Sequence, residues 1–535
     1  MKNKRCIIKV ITLLFSILFL YSCRSIDTEN TLTGSGRSAV KFNVLGAEFS
    51  NVNAKIIRSS SISIPITGSQ VYGKLIDPST FMKVTLTSDL DEVRPQKDAS
   101  SNKVTSSAIS GDLLGVGVKF RVIAYRDNGD YHTHEDYTVG QASPPMMLDN
   151  EKRYDIVVYS FGIPSLPAIS PGEQDNINSA TVNYDNNNRD FMYQKLDFTP
   201  QNYSNNTLNV TLAHKVAQTT ITIKSVGLGN IIGVDNGFLN PHYNDGVIKL
   251  ASGAVTDRTT LSSGIPLNFS GINTTTLTAS PVFINADSGS NTTGEFFADV
   301  TIGDRTRAID LPNSFRITPG NKSNFVINLR KCGAYLGPGN TQWKDFMCHN
   351  LGANMRVDPF TPAAAIHGAK YQWGAYTGES GRYISQADDQ RNNGRIAGWN
   401  TAGKPITSWS DNFKTSNDPC PEGYRVPTER QWISVLNSNP NVERVGSWFT
   451  SGNYTSALYF RDASGARTLM LPLAGGRDNV DGRLLSRGII ARYWSSTIAN
   501  ENNISTGRFL YYYTSEQTTY GQALSFAVSI RCISE

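Results

Sequence analysis

Leu208-Asn209-Val210-Thr211-Leu212 and, shortly after it, Thr219-Thr220-Ile221-Thr222-Ile223 alternate apolar and polar residues. Period-two alternation sends one face of the backbone to a core and the other to water, the signature of a half-buried β-strand. Outward from these two segments the pattern repeats. Val40, Phe42 and Val44 alternate with Lys41 and Asn43. Residues 118–125 read as a strand followed by Asp127-Asn128-Gly129, a hairpin turn signal. Ile156-Val157-Val158-Tyr159 reads as a buried strand, and Phe325-Val326-Ile327-Asn328-Leu329 closes this part of the chain. Helical periodicity is scarce before residue 331. Pro164, Pro167, Pro171 and Asn186-Asn187-Asn188 mark a linker at about 163–190. The fold expected is mainly β, with two tandem sandwiches over residues 39–175 and 176–331.

The chain changes character near residue 331. All seven tryptophans (Trp343, Trp373, Trp399, Trp409, Trp432, Trp448 and Trp494) lie beyond it, as do Cys332, Cys348, Cys420 and Cys532. Residues 332–535 are expected to form a third, loop-rich unit with one helix, from Glu429 to Leu436, capped by Thr428 and burying Trp432, Val435 and Leu436.

The N-terminus is read as a lipoprotein signal over residues 1–22. Lys2, Lys4 and Arg5 precede a mostly apolar run from Cys6 to Tyr21 that is short for a spanning helix. It ends in Leu20-Tyr21-Ser22-Cys23, a lipobox whose cysteine thiol accepts diacylglycerol before the signal is removed. Cys23 is therefore the expected lipidation site, followed by a polar tether over 23–38. Two or three lipid chains anchor stably where one does so marginally. With Cys6 lost and Cys23 lipidated, the four remaining cysteines of an exported chain read as two disulfides. Three pairings are possible; Cys332–Cys348 with Cys420–Cys532 is favoured. The formal charge of +5 includes four positive residues in the signal, so the rest is near neutral and carries no nucleic-acid footprint.

In residues 1–330 the lipobox and early strand are followed by Ile57-Arg58-Ser59, Phe120-Arg121-Val122-Ile123-Ala124-Tyr125, Tyr154-Asp155-Ile156-Val157-Val158-Tyr159-Ser160 and Leu212-Ala213-His214-Lys215-Val216-Ala217-Gln218. This order resembles the fimbrillins of Bacteroidales-type (type V) pili. Beyond it lie Phe346-Met347-Cys348-His349-Asn350-Leu351-Gly352-Ala353, Lys370-Tyr371-Gln372-Trp373-Gly374, residues 418–427, Tyr493-Trp494-Ser495-Ser496 and Ser529-Ile530-Arg531-Cys532. These resemble C-type-lectin-like domains of the Fibrobacter-paralogous type, an α+β fold. The whole chain is similar to tip subunits of the Porphyromonas major fimbria.

The resemblance implies a lipid-anchored outer-membrane precursor that becomes part of a surface fimbrium. An arginine-specific protease removes the first strand, and a donor strand from a neighbouring subunit fills the groove by β-augmentation. Arg58 is the first arginine beyond the Val40–Val44 alternation, so the expected cut falls between Arg58 and Ser59. Arg37, in the flexible Gly34-Ser35-Gly36-Arg37, is the alternative. A shaft subunit ends in a donor strand. Here the C-terminus is held in a disulfide-bearing domain, so the subunit is expected to accept a strand without donating one, at the tip. Its adhesive ligand, on a host or bacterial surface, is unknown.

Other motifs point away from chemistry. His132-Thr133-His134 puts two imidazoles on one strand face without a third ligand, and Asp478-Asn479-Val480-Asp481-Gly482 lacks the full calcium-loop series. No metal or cofactor is expected. Sugar-binding calcium lectins carry Glu-Pro-Asn or Gln-Pro-Asp motifs that are missing here, and Trp409-Ser410-Asp411 is displaced from the usual Trp-Asn-Asp position. Tyr511-Tyr512-Tyr513, Trp399 and Trp409 read as core packing before contact surface. No nucleophile–base pair is evident, so the chain is not expected to be an enzyme. The alternative function is an outer-membrane glycan-binding lipoprotein that never polymerises. Metabolic labelling with a fatty-acid analogue is expected to mark the wild-type chain and not Cys23→Ala; equal labelling of both would refute lipidation at Cys23.

Overall fold

The computed structural model describes residues 36–50, 69–88, 112–187, 190–202, 205–439, 442–501 and 503–535. Cys23, Arg58 and Ser59 lie outside them. The chain is mainly β. Its early strands are β1 (Arg37–Glu48), β2 (Gln70–Asp77), β3 (Thr80–Ser88), β4 (Lys119–Arg126), β5 (Tyr131–Thr138), β6 (Met146–Asp149) and β7 (Tyr154–Ser160). They are followed by β8 (Thr181–Asn183), β9 (Met192–Phe198), β10 (Asn206–His214), β11 (Ala217–Lys224) and β12 (Ile231–Asn240).

The first sheet has seven strands in the order β5-β4-β7-β9-β10-β1-β6. Every strand contributes to one inner cluster, through Tyr137, Val122, Ile156, Met192, Val210, Val40 and Leu148 in that order. A twisted sheet whose strands all feed one cluster curls around it. Ile123, Tyr125, Val157 and Tyr159 face the other way and are covered by residues 161–184. The stretch read as a linker is therefore packed. Ile177, Val182 and Tyr184 are buried there, and Glu173 accepts a hydrogen bond from Arg121 at 3.0 Å. Arg121, itself buried, also grips both carboxylate oxygens of Asp136 (2.7 and 2.8 Å). The prolines direct a crossing over the sheet, and buried charges hold it there.

The second sandwich packs two sheets face to face. One runs Thr276–Thr278, β11, Lys322–Lys331, β3, β2; the other runs Ile265–Pro266, β12, Gly294–Ile302, Arg305–Phe315. Ile221, Ile223, Phe325 and Ile327 from the first meet Leu239, Phe296, Val300 and Leu311 from the second. The division at 175/176 does not describe these sheets. β2 and β3 precede it yet belong to the second sandwich, where β3 runs antiparallel to Lys322–Lys331. β9 and β10 follow it yet belong to the first sheet. Alternation specifies which face of a strand is buried but not which strand it joins.

The C-terminal unit follows Lys331 directly. It holds two α-helices among the described residues where one was expected: a short one over Gln386–Arg391, capped by Ser385, and the expected one over Glu429–Ser438, with Thr428 and Gln431 forming a reciprocal capping box. Trp432 and Val435 are buried, and Leu436 packs partly against the same core. Indole N–H groups tie loops together: Trp373 donates to Ser495 O, Trp494 to Tyr371 O, Trp432 to Trp494 O and Trp409 to Asn417 O. These four indoles thus bury large apolar area with their N–H groups paired, whereas Trp399 Nε1 is buried without a hydrogen-bond partner among the described residues. Disulfides join Cys332 to Cys348 and Cys420 to Cys532. The second closes a separation of 112 residues, for which chain entropy allows about 4–5 kcal/mol.

The turn between β2 and β3 is the seat of this unit. Ser79 O accepts from Cys332 N (2.7 Å), Pro78 O accepts from Cys348 N (2.8 Å), and Lys83 pairs with Asp358 (2.8 Å). Phe81 packs into a cluster with Cys332, Cys348, Phe360 and Tyr459.

Two buried histidines make the unit acid-sensitive. Burial, with Arg531 nearby, pushes His349 down to about 4; burial, with Lys370 and Arg487, pushes His367 down to about 3. Unfolded histidine titrates near 6.5, so below that pH the unfolded chain binds more protons and stability falls. Each histidine contributes at most about 1.4 kcal/mol per pH unit. Since every tryptophan lies in this unit, urea unfolding followed by tryptophan fluorescence is expected to show a midpoint that drops between pH 6.5 and 4.5. The slope should be shallower in a His349→Gln/His367→Gln variant.

Candidate functional site: the cleft filled by the first strand

β1 is the first described strand and the one on which its sheet depends. It runs parallel to β10, with Val40 opposite Asn206, Phe42 opposite Leu208, Val44 opposite Val210 and, after a bulge, Ala47 opposite Leu212. On its other side it runs antiparallel to β6, from Arg37–Asp149 to Val40–Met146. β10 meets β9 only at Ala213 and His214, so residues 206–212 have β1 as their ladder partner. β6, at the sheet edge, has β1 as its neighbour.

The side chains follow the alternation read from the sequence. Val40 is fully buried, Phe42 and Val44 are partly buried, and Lys41 and Asn43 are exposed. Phe49, just past the strand, is buried and stacks on the His214 ring at 3.7 Å, where His214 is held by Asp190 at 2.7 Å. Losing Val40 and Phe49 from the core would cost roughly 1.5–3 kcal/mol each, before Phe42, Val44 and the ladder are counted. That is a large fraction of the roughly 5–15 kcal/mol of a typical folded domain. Removing β1 would therefore take away a large share of the stability of the first sheet.

Both ends of β1 are anchored. Arg37 Nε lies 3.1 Å from Asp149, which also pairs with Arg126 (3.2 Å) and accepts from the Tyr154 hydroxyl (3.1 Å). Burial raises the Asp149 carboxyl, but the Tyr154 and Arg37 hydrogen bonds and nearby positive charge hold it below the usual range. At the other end Ala47 and Asp112 exchange both backbone hydrogen bonds (2.8 and 2.9 Å), and Ser50 N donates to Gly320 O of the second sandwich (2.8 Å).

Arg37 is thus the first residue of β1. Scission after Arg37 would leave Ser38 to Glu48 covalently attached, whereas scission after Arg58 would sever all of β1. The remaining candidate residues have local partners. His132 contacts Arg126 (2.9 Å) and His134 contacts the Tyr131 hydroxyl (2.8 Å). Asp478 accepts from Val480 N, and Asp481 pairs with Arg395. Asp411 accepts from Thr497 and Ser496. Trp409 and Tyr512 are buried, while Trp399, Tyr511 and Tyr513 are partly exposed. Sequence reading missed the Phe49–His214 stack, whose aromatic Phe49 lies beyond the alternation. It also missed a buried cluster in which Asp389 binds Arg477 (2.7 Å) and Arg487 (2.8 Å), with Lys370 3.7 Å away.

No family model and no curated relative matches the chain. Solved structures do show likeness. A candidate cell adhesion protein of Bacteroides fragilis is 10% identical, over 58% of this chain and 97% of that one, with a TM-score of 0.30. A candidate cell adhesion protein of Bacteroides uniformis is 14% identical over 40% and 86%, with a TM-score of 0.29. A fimbrial assembly protein of Parabacteroides distasonis is 12% identical over 49% and 92%, with a TM-score of 0.26.

A specific protease site engineered into residues 51–68 tests how β1 is held. After cutting, β1 is expected to stay with the body by gel filtration in buffer and to leave in moderate urea. Val40→Asp, which forces a carboxylate into a fully buried position, should release it without urea. Retention of the mutant strand would show that the cleft does not hold β1 through Val40.

Proposed function

We propose that the chain is a subunit of a cell-surface fimbria of the fimbrillin type, matured by exchange of its first strand. It is exported as a lipoprotein through Cys23 and held at the outer membrane. An arginine-specific protease cuts between Arg58 and Ser59, which detaches β1 and the lipid together. A strand from the neighbouring subunit then enters between β10 and β6. The observation that carries this reading is that β1, the main ladder partner of two strands, precedes Arg58 in the chain.

The C-terminal unit is the adhesive head, a C-type-lectin-like domain whose work is binding and not catalysis. Ala527–Val528 pairs within its five-stranded sheet, Ile533–Ser534 pairs with Tyr424–Arg425, and Cys532 is bonded to Cys420. These strands are committed inside the unit and are not free to complement a neighbour, which favours a place at the fibre tip.

Cell fractionation tests the mechanism. Arg58→Ala should accumulate as a longer, lipidated form absent from sheared fimbriae, whereas Arg37→Ala should mature and assemble as the wild type does. Normal incorporation of Arg58→Ala into fimbriae would overturn the assigned cut.

A further inference from the structure

A cleft of about 560 Å³ lies between the second sandwich and the C-terminal unit. β11 and Lys322–Lys331 run parallel, so their C-terminal ends emerge side by side. Lys224 from the one, and Arg330 and Lys331 from the other, line one wall. The opposite wall is the turn between the strands Ala457–Arg461 and Arg467–Pro472, which brings Arg461 and Arg467. Five cations from segments far apart in sequence thus converge, beside one lining carboxylate, Asp462.

Some of this charge is already paired. Arg461 and Arg467 share Glu443, and Lys331 pairs with Asp345 at 3.0 Å. Lys224 and Arg330 have no ion-pair partner among the described residues. Five cations against three carboxylates leave the cleft positive. Glu443 also holds the two guanidinium groups in place, so they are positioned before any ligand arrives.

The floor adds aromatic surface. Tyr335 and Trp343 are a cross-strand pair with ring centroids 5.1 Å apart and planes near perpendicular, both partly exposed. The Lys331 ammonium sits 5.9 Å from the Trp343 ring centroid. Fixed guanidinium and ammonium groups recognise carboxylate or sulfate. The flat face of an indole packs against the C–H face of a pyranose. The volume falls in the range of pockets for compact ligands, roughly 300–1,000 Å³, and not that of an extended polyanion track.

The geometry points to a binding site for an acidic oligosaccharide, bearing uronate or sulfate groups, in the cleft between β11, the end of Lys322–Lys331 and the 461–467 turn. The site is remote from the cleft of β1, and its occupancy can be read on the unassembled chain. Its failure therefore leaves strand exchange standing, and the reverse also holds.

Titration calorimetry of the full chain with a heparin-derived tetrasaccharide tests the site. Binding that weakens with added salt is expected, reduced at least tenfold by Lys224→Glu, with Arg330→Gln as a second, milder variant. A far-ultraviolet circular dichroism spectrum and a urea midpoint by circular dichroism unchanged from wild type would establish that both variants are folded. A neutral cello-oligosaccharide should not bind. The proposal is overturned if the tetrasaccharide fails to bind, if Lys224→Glu binds as wild type does, or if the neutral sugar binds equally. It is overturned equally if an acidic peptide or an oligonucleotide of equal charge competes as well as the tetrasaccharide.

Discussion

The parallel ladder between β1 and β10 is the constraint on which the first half of the molecule rests. Most strands in the first sheet have neighbours reached by short or local connections, as β4 has β5. β10 has β1 instead, more than 150 residues earlier in sequence, and β6 is joined to the sheet through the same strand. A parallel partner cannot be supplied by a tight turn, so it must come from a distant part of the chain or from another chain. The pairing therefore needs no covalent continuity between the strands, and the proposed exchange of β1 for a strand of similar pattern relies on this. The occupant must present alternating apolar residues inward, accommodate the bulge near Gly46 and bring a group to the His214 ring.

The second sandwich repeats the arrangement with a different outcome. There too a parallel pair is central, β11 running alongside the last strand, Lys322–Lys331. But β11 follows β10 after a two-residue connection, so no cut can remove it and spare the body. The other flank of Lys322–Lys331 is occupied by β3, from the β2–β3 hairpin. That hairpin also receives the C-terminal unit at Pro78 and Ser79. One N-terminal segment thus supplies a strand to the first sheet, while the next braces the junction on which the C-terminal unit sits. Detaching β1 leaves that brace in place.

What the sequence made legible follows from the range of each interaction. Strand positions and the capped helix at Thr428 depend on neighbours within a few residues, and alternation reported them well. The crowding of tryptophan and cysteine beyond residue 331 likewise marked a unit built on different packing. Partners were not legible. Nothing local in residues 70–88 says that they join a strand ending at Lys331. The segment at 163–190 carries linker punctuation, yet Glu173 and Arg121 are 52 residues apart in sequence and meet only in the fold. The cationic cleft is hidden for the same reason, being assembled from 224, 330–331, 461 and 467.

Hydrogen–deuterium exchange on a chain beginning at Ser59 measures the replaceable strand most directly. Without β1, amides of residues 146–148 and 208–212 are expected to exchange fast, while those of β4 and β7 stay protected. Adding a peptide of residues 37–50 should restore slow exchange at 146–148 and 208–212, and a peptide with Val40→Asp should not. Slow exchange at 208–212 in the chain without β1, unchanged by the peptide, would contradict the dependence of the sheet on its first strand.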